Sequence, residues 1–597
     1  MSEPSSSFAQ SARESETARW FMPELQTRPL APRRAHVRNP LNGATVELSS
    51  DEHAVLSACE GCATLGEHVA AAARKLCAPA ERWPAFRGVL ERCAAAGLLM
   101  RLESLLPEAA DVAAAGVEAI AIRTCDRPQL LGRLLQSAAR LEARFQVRRR
   151  WVVFDDSRAA ESVAANRAAI KASPLDLSYQ GRAQTCALEA SLKAEFPDGQ
   201  REIAWLLGAG EAGEATYGRP LNHALLAFAG RPFIVVDDDV VLEPHRPAMS
   251  EAGFAVGERT DELTWYESEE ALWLDCPAID LDPIALHERW LGLPLAAAWQ
   301  RCEREAGALA DIDLPPHLGV RFTGDARIVF THSHAGGDPG SALLPLQLLA
   351  LPPLSRQWLA AHPEAAAHAF GWRVNWRGQS RLRLAPRRIL TFTTIAGLDN
   401  SRLLPPVARA CRSEDVLLGI ASQSVHPGAW FVDLPFSLAH LREPKKQWLR
   451  ASAPFMQEPL HVLYAWIDES ARNITPRAAE ARLMAIGGVL VDYARMRDGA
   501  LTDALRLHAI DAASRTLFAI EEQLADPALP AHWKAQLSPW LKSPAFATDE
   551  ASVRARLLAP ELIRSLARTY GRAMQLWPGL WGASRELNDA ASRTRSP

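Results

Sequence analysis

Three consecutive carboxylates, Asp237, Asp238 and Asp239, interrupt the apolar run Phe233-Ile-Val-Val-Asp-Asp-Asp-Val-Val-Leu242. Adjacent anions repel one another unless a cation sits among them. Hard oxygen ligands suit Mg2+ or Mn2+, which bridge carboxylates to the diphosphate of a substrate. The alternative is a solvated acidic turn. The flanking residues argue for the first reading, because a β-branched run bounded by Pro232 and Pro244 reads as a buried strand.

Three other groupings have spacings that bear on chemistry. Gly208-Ala-Gly-Glu-Ala-Gly213 is a literal GxGxxG after an apolar run, with an acid on the next strand, close to a dinucleotide fingerprint. Against it, Gly218 and Pro220 interrupt the helix that should follow, and Glu211 and Glu214 would face a pyrophosphate. His332-Ser-His334, in the His- and Gly-rich stretch that continues to Asp338 and Gly340, has the HxH spacing of a metal pair but lacks a third placed ligand. Cys59-Glu-Gly-Cys62 has the spacer of a zinc or redox pair. Cys77 and Cys93 do not form a second such pair, and small buried thiols in Ala-rich helices are the competing reading.

The elements that must position these residues alternate between strand and helix. Val117–Ile122 runs into a Thr/Cys/Asp/Arg/Pro turn and a helix over Gln129–Leu141. Arg150–Phe154 ends in Asp155-Asp156-Ser157, and Glu202–Leu207 is a third strand candidate before the helix Leu221–Phe228. Strands that end in polar residues at one edge are expected where a doubly wound sheet binds its ligand. Upstream, Ala35–Arg38 and Ala44–Leu48 read as strands joined around Asn42-Gly43. Ser49 caps a helix through Cys59, and further helices span Leu65–Leu76 and Trp83–Ala95. Beyond Lys445 the pattern is helical, with runs at Pro476–Met496, Ala500–Leu524, Ala531–Leu541 and Ser552–Leu576.

From Val117 to Glu443 the chain resembles the family 2-like glycosyltransferases of GT-A fold. "IAIRTCDRP" looks like that family's first strand and donor loop, with Thr124, Asp126 and Arg127 on the donor side. "VVFDDS" looks like the second strand, where Asp155 or Asp156 would contact the uracil or ribose. "YGRPLNHALLAF", with Gly218, Arg219 and Asn222, looks like the helix before the metal strand. The resemblance makes Asp237-Asp238-Asp239 a DxD motif, its outer pair bracketing the metal and Asp238 on the donor side. Asp415 of Arg412-Ser-Glu-Asp-Val would be the general base, with Glu414 as runner-up. Asp399, Asn400 and Asp338 would lie on the acceptor side, and His440 would match a late metal or diphosphate ligand. The departure is length. About 175 residues separate Asp239 from Asp415, so an insertion near Glu243–Arg388 must fold alongside the acceptor site. Arg33–Leu102 resembles the PqqD-like winged-helix domains that hold the leader of a ribosomally made peptide, in which the peptide adds a strand to a sheet edge. A structural or dimerising winged helix is the plainer reading of the same segment.

Composition bounds the rest. The 597 residues, 48% hydrophobic and 23% charged, imply several globular domains. A net charge of -4 implies no general affinity for nucleic acid or anionic membrane. Met1–Thr17 lacks the apolar core of a secretory signal, and Leu343–Leu354 is interrupted by prolines and falls short of the roughly 20 residues a spanning helix needs. A cytoplasmic protein with reduced thiols is expected. The expected fold class is α/β, a GT-A, Rossmann-like mixed sheet over 115–445. It is preceded by a tail over 1–32 and a small winged-helix-like α+β domain over 33–105, and followed by a C-terminal helical bundle over 446–597 with packing or homodimerisation as its role. The expected function is inverting transfer from a nucleotide-diphosphate sugar, dependent on Mn2+ or Mg2+, to an acceptor hydroxyl, with a ribosomally made peptide as one acceptor. The alternatives are an NAD- or FAD-dependent oxidoreductase using Gly208–Gly213 and a non-catalytic peptide-binding scaffold.

Overall fold

The computed structural model describes residues 18–106, 114, 116–210, 214–258, 261–338, 348–372, 374–388, 394–441 and 458–593. The N-terminal part opens with β1 (Arg19–Phe21), followed by β2 (Gln26–Ala31), β3 (Arg34–Arg38) and β4 (Thr45–Ser49), which form an antiparallel sheet in the order β2-β3-β4. Gly43, at φ +77°, makes the turn between β3 and β4. Its neighbour Asn42 donates Nδ2 to the carbonyl of Gly97. β4 is an edge strand of this sheet, a position at which an added peptide strand would pair.

Capping boxes at Ser49/Glu52 and Thr64/Glu67 start α1 (Ser50–Ser57) and, after β5 (Cys62–Thr64), α2 (Leu65–Lys75). With α3 (Trp83–Ala95) these helices close a core around Val37, Leu56, Ala72 and Leu90. β6 (Met100–Arg101) pairs with β1, which also pairs with β5. Cys59, Cys62 and Cys93 are buried, and burial pushes the Cys59 and Cys62 thiols up to about 12. They are packing thiols. Among the described residues no group of three or more His, Cys, Asp or Glu side chains gathers as a metal site.

A 13-stranded mixed sheet dominates the rest of the molecule. Its first half is β7 (Ile120–Thr124), α4 (Pro128–Phe145), β8 (Arg150–Asp155), α5 (Ala160–Ala172), β9 (Asp176–Gln180), α6 (Arg182–Glu195), α7 (Gln200–Leu207), α8 (Arg219–Ala227) and β10 (Phe233–Asp237). β9, β8, β7 and β10 lie side by side in that order, all parallel. The segment Glu202–Leu207, expected as a strand, is the helix α7, and the third strand is β9. A five-residue apolar run such as Ile203–Leu207 is ambiguous between the two states. Here Ile203, Leu206 and Leu207 share the helix face that packs into the core.

The second half of the sheet comprises β11 (Val240–His245), β12 (Phe254–Gly257), β13 (Glu262–Tyr266), β14 (Leu309–Asp313), β15 (Arg327–Gly337), β16 (Val374–Gly378), β17 (Leu382–Ala385), β18 (Ile395–Leu398) and, after α9 (Glu414–Val425), β19 (Ala429–His440). β18 is antiparallel to β10. β15 sits between β18 and β19, antiparallel to the first and parallel to the second. The residues expected as an insertion over 243–388 therefore supply β15 to the middle of the sheet and β12, β14 and β17 to its far side.

Two apolar clusters cover the faces of the sheet. One joins β7, β8 and β10 through Ala121, Val152 and Val235 to α8, α9 and the C-terminal helices; the other packs α4 against Ile122, Val153 and Val236. The C-terminal helices include α10 (Pro459–Ala471), α11 (Ala479–Ala494), α12 (Asp498–Ala525) and α13 (Pro560–Arg593). α13 continues through Pro578, past the expected stop at Leu576. Its aromatic side chains explain why. Tyr570 donates Oη to the carbonyl of Pro406, Trp577 donates Nε1 to the carbonyl of Leu404, and Trp581 donates Nε1 to Oδ1 of Asn400. These bonds hold the helix against the sheet domain across the position where proline weakens it. No helix among the described residues is long and apolar enough to cross a membrane.

Candidate active site

In the parallel set the winding reverses between β7 and β10. Ligands of doubly wound sheets bind at such a switch point, outside the carboxyl ends of the strands. Thr124 at the end of β7 and Asp237 at the end of β10 occupy this position, and Asp237 lies beside Arg123 in register. β15 and β19 run in the same direction, so Asp338 and His440 end at the same edge of the sheet.

Arg123 ties two remote acidic segments together. Its Nε and Nη2 donate to Oδ1 of Asp237 at 3.0 and 2.6 Å, and its Nη1 lies 3.5 Å from Oε1 of Glu414. Burial works against the charge of this guanidinium, but Asp237 and Glu414 outweigh burial and hold it protonated. Glu414 and Asp415 form the first turn of α9, entered through Cys411 and Ser413 in the left-handed region at φ +74° and +72°. Non-glycine residues in that region cost on the order of 1–3 kcal/mol and cluster at functional sites. Oδ1 of Asp415 accepts the Val416 N–H at 2.9 Å. Burial, and then the charge of Glu414, push the Asp415 carboxyl well above the ordinary carboxylate range against the pull of Arg123. Burial raises Glu414 in the same way.

Arg127 holds the other two members of the triplet. Its Nη1 stands 3.1 Å from Oδ1 of Asp238 and 3.1 Å from Oδ2 of Asp239. Thr124 donates Oγ1 to Oδ2 of Asp238 at 2.8 Å, and Nε2 of His440 lies 3.1 Å from Oδ1 of Asp239. Burial pushes Asp238 up to about 7, and Arg127 and Thr124 reduce that shift without cancelling it.

This donor set does not match a divalent cation held by Asp237 and Asp239. Asp239 and His440 are adjacent, but Asp237 turns to Arg123, and the facing oxygens of Asp238 and Asp239 share one guanidinium nitrogen. A cation held by the arginine-bound oxygens, Oδ1 of Asp237 and Oδ2 of Asp239, would have to displace both arginines.

No model of a known protein family matches the chain, and no curated protein is significantly similar to it.

Several residues expected at the donor site lie behind it. The Asp126 carboxylate accepts the N–H groups of Arg158 and Ala159, both at 3.1 Å, and so caps the chain entering α5. Asp155 accepts from Ser157 N–H, Asn166 and Tyr179, while Asp156 accepts from Thr216, Arg182 and the buried Arg219. Asn222 bonds Val407 through both its amide oxygen and its amide nitrogen. A Cβ on Gly218 would stand 2.0 Å from the carbonyl of Ala408, so this glycine permits close packing of α8 on the 407–408 segment. All these oxygens and amides are occupied by the protein, so their part is to position the loops.

Asp399 and Asn400 are displaced altogether. Because β18 is antiparallel to β10, Leu398 pairs with Phe233, and the two residues beyond it emerge at the edge opposite Asp237. Asn400 donates to the carbonyls of Leu225 and Phe228 there. The acceptor-side expectation for this pair is corrected: Asn400 anchors α8 and α13, and Asp399 accepts from the hydroxyl of Ser401. The dinucleotide fingerprint also loses its frame, since the helix α7 precedes Gly208 where a strand is required. Residues 211–213 lie outside the described residues.

Arg123 escaped the sequence reading as a functional residue, although a lone cation in the apolar strand Ala119-Ile-Ala-Ile-Arg123 requires a buried carboxylate partner. A buried polar layer next to the site was also missed. Arg388 bridges Asp261 and Asp433 at 2.8 and 2.9 Å, and Arg377 holds the other oxygen of Asp261 at 2.9 Å. His332 and His334 are buried beside this layer on one face of β15, and burial drives His334 down to about 3 and His332 well below its usual value. Neutral imidazoles are the form that can ligate a metal, but no third His, Cys, Asp or Glu gathers with them as a metal site among the described residues, which the metal-pair reading of HxH requires.

Proposed function

We propose that the chain transfers a sugar from a nucleotide-diphosphate sugar to an acceptor hydroxyl with inversion, on a GT-A domain. The observation that carries the reading is Arg123, which brings Asp237 of the acidic triplet to Glu414, one residue from Asp415, at the switch point of the sheet. The motifs that resemble family 2-like glycosyltransferases in sequence thus meet at a ligand-binding edge. In the proposed reaction Asp415 takes the proton of the acceptor hydroxyl. The acceptor oxygen bonds to the anomeric carbon, and the bond from that carbon to the diphosphate breaks with its electron pair leaving on the diphosphate. A carboxyl raised by burial is suited to receive a proton near neutral pH. Arg123 keeps Glu414 and Asp237 in place and offsets their charge.

Thermal unfolding of the full chain in the presence of UDP, GDP or NAD tests this. UDP or GDP at about 100 times its Kd is expected to stabilise the chain by about 2.7 kcal/mol, visible as a rise in Tm, and NAD is expected to leave Tm unchanged. Stabilisation by NAD alone would return the oxidoreductase reading to first place.

A further inference from the structure

Glycosyl transfer from a diphosphate needs positive charge where the diphosphate departs. We infer that Arg127 supplies it, so that the donor binds and leaves without a divalent metal ion; the inference rests on the transferase reading above. Three observations support it. First, four carboxylate oxygens of the acidic triplet are held by the chain itself, namely Oδ1 of Asp237 by Arg123, the two oxygens of Asp238 by Arg127 and Thr124, and Oδ2 of Asp239 by Arg127, while Oδ1 of Asp239 lies 3.1 Å from Nε2 of His440 without a hydrogen bond between them.

Second, among the described residues Arg127 is the most exposed cation in contact with the carboxylates of this triplet. Its side chain is 38% exposed, against 11% for Arg123 and 10% for His440, and a single nitrogen, Nη1, makes both carboxylate contacts. Its Nε and Nη2 have no partner among the described residues, which leaves two donors of a planar fork for phosphate oxygens. Third, Arg127 is the N-cap of the 18-residue α4, whose first turn lies at the switch point with its partial positive charge. The helix end and the guanidinium thus act on the same anion. Asp238 and Asp239 serve to hold Arg127 and fix its fork. When the bond from the anomeric carbon to the diphosphate breaks, the electron pair that moves onto the diphosphate oxygen is met by Arg127, and the acceptor's proton resides on Asp415.

Calorimetric titration of the full chain with UDP and with GDP, in EDTA and in Mn2+, tests the inference on the unaltered protein, on Arg127→Met and on Arg127→Lys. The expected result is a Kd unchanged within about twofold between EDTA and Mn2+ and weakened about 10- to 100-fold by Arg127→Met, with partial recovery in Arg127→Lys, which keeps the charge but not the fork. The circular dichroism spectrum of Arg127→Lys serves as the check on folding. Binding that appears only with Mn2+, or an Arg127→Met chain that binds as tightly as the unaltered one, would overturn the inference and leave the transferase reading standing. Binding of neither nucleotide under either condition would overturn both.

Discussion

Replacing Asp415 with asparagine is expected to lower sugar transfer by about 10²- to 10⁴-fold while nucleoside diphosphate binding persists, because the amide keeps the shape of the side chain and removes its basicity. The pH profile gives an independent readout. A base must be deprotonated to act, and burial with the nearby charge of Glu414 raises the Asp415 carboxyl above its ordinary range. Activity of the unaltered chain should therefore fall as pH drops through this raised value, well before ordinary carboxylates titrate. In Asp415→Asn that acidic limb should disappear from the residual rate. Near-normal turnover in the variant would move the base to Glu414 or to Asp338, which directly follows β15 at the same edge of the sheet.

Arg123→Gln carries the second large effect. The guanidinium neutralises Asp237 and Glu414 within the sheet domain, and removing one partner of a buried ionic cluster leaves the other charges uncompensated. Such losses run at about 3–5 kcal/mol. The urea midpoint should fall accordingly, and donor binding should weaken with it. Asp237→Asn on the same chain removes one of the stranded charges and should restore about 1–3 kcal/mol of the loss. Strictly additive effects of the two substitutions would show that the Arg123–Asp237 contact is energetically silent.

The parts of this molecule that were legible in the sequence are those governed by local chemistry. The capping residue Ser49, the Asn42-Gly43 turn, and the apolar runs of β7, β8 and β10 each signal their state within a few residues. Asp237 to Asp239 stood out because three anions in an apolar strand need compensation. What compensates them was not legible, since Arg123 and Arg127 meet these carboxylates across more than a hundred residues of chain. Strand direction accounts for the error at Asp399 and Asn400, since no local pattern shows that β18 runs antiparallel to β10. The helix α7 and the strand β9 were exchanged because α7 is short and ends in the apolar run Ile203–Leu207, whereas β9 is half-exposed and reads as loop. The layer of Asp261, Arg377, Arg388 and Asp433 joins strands far apart in sequence, and no local spacing announces it.

Amide hydrogen exchange of the full chain with and without UDP or GDP bears most directly on the claim that the donor binds at the switch point between β7 and β10. The account predicts slowed exchange in peptides covering residues 123–131 and 237–241, with the opposite edge of the sheet around 398–402 unchanged. Protection confined to that opposite edge or to the 200–210 segment, with none at 123–131, would contradict it.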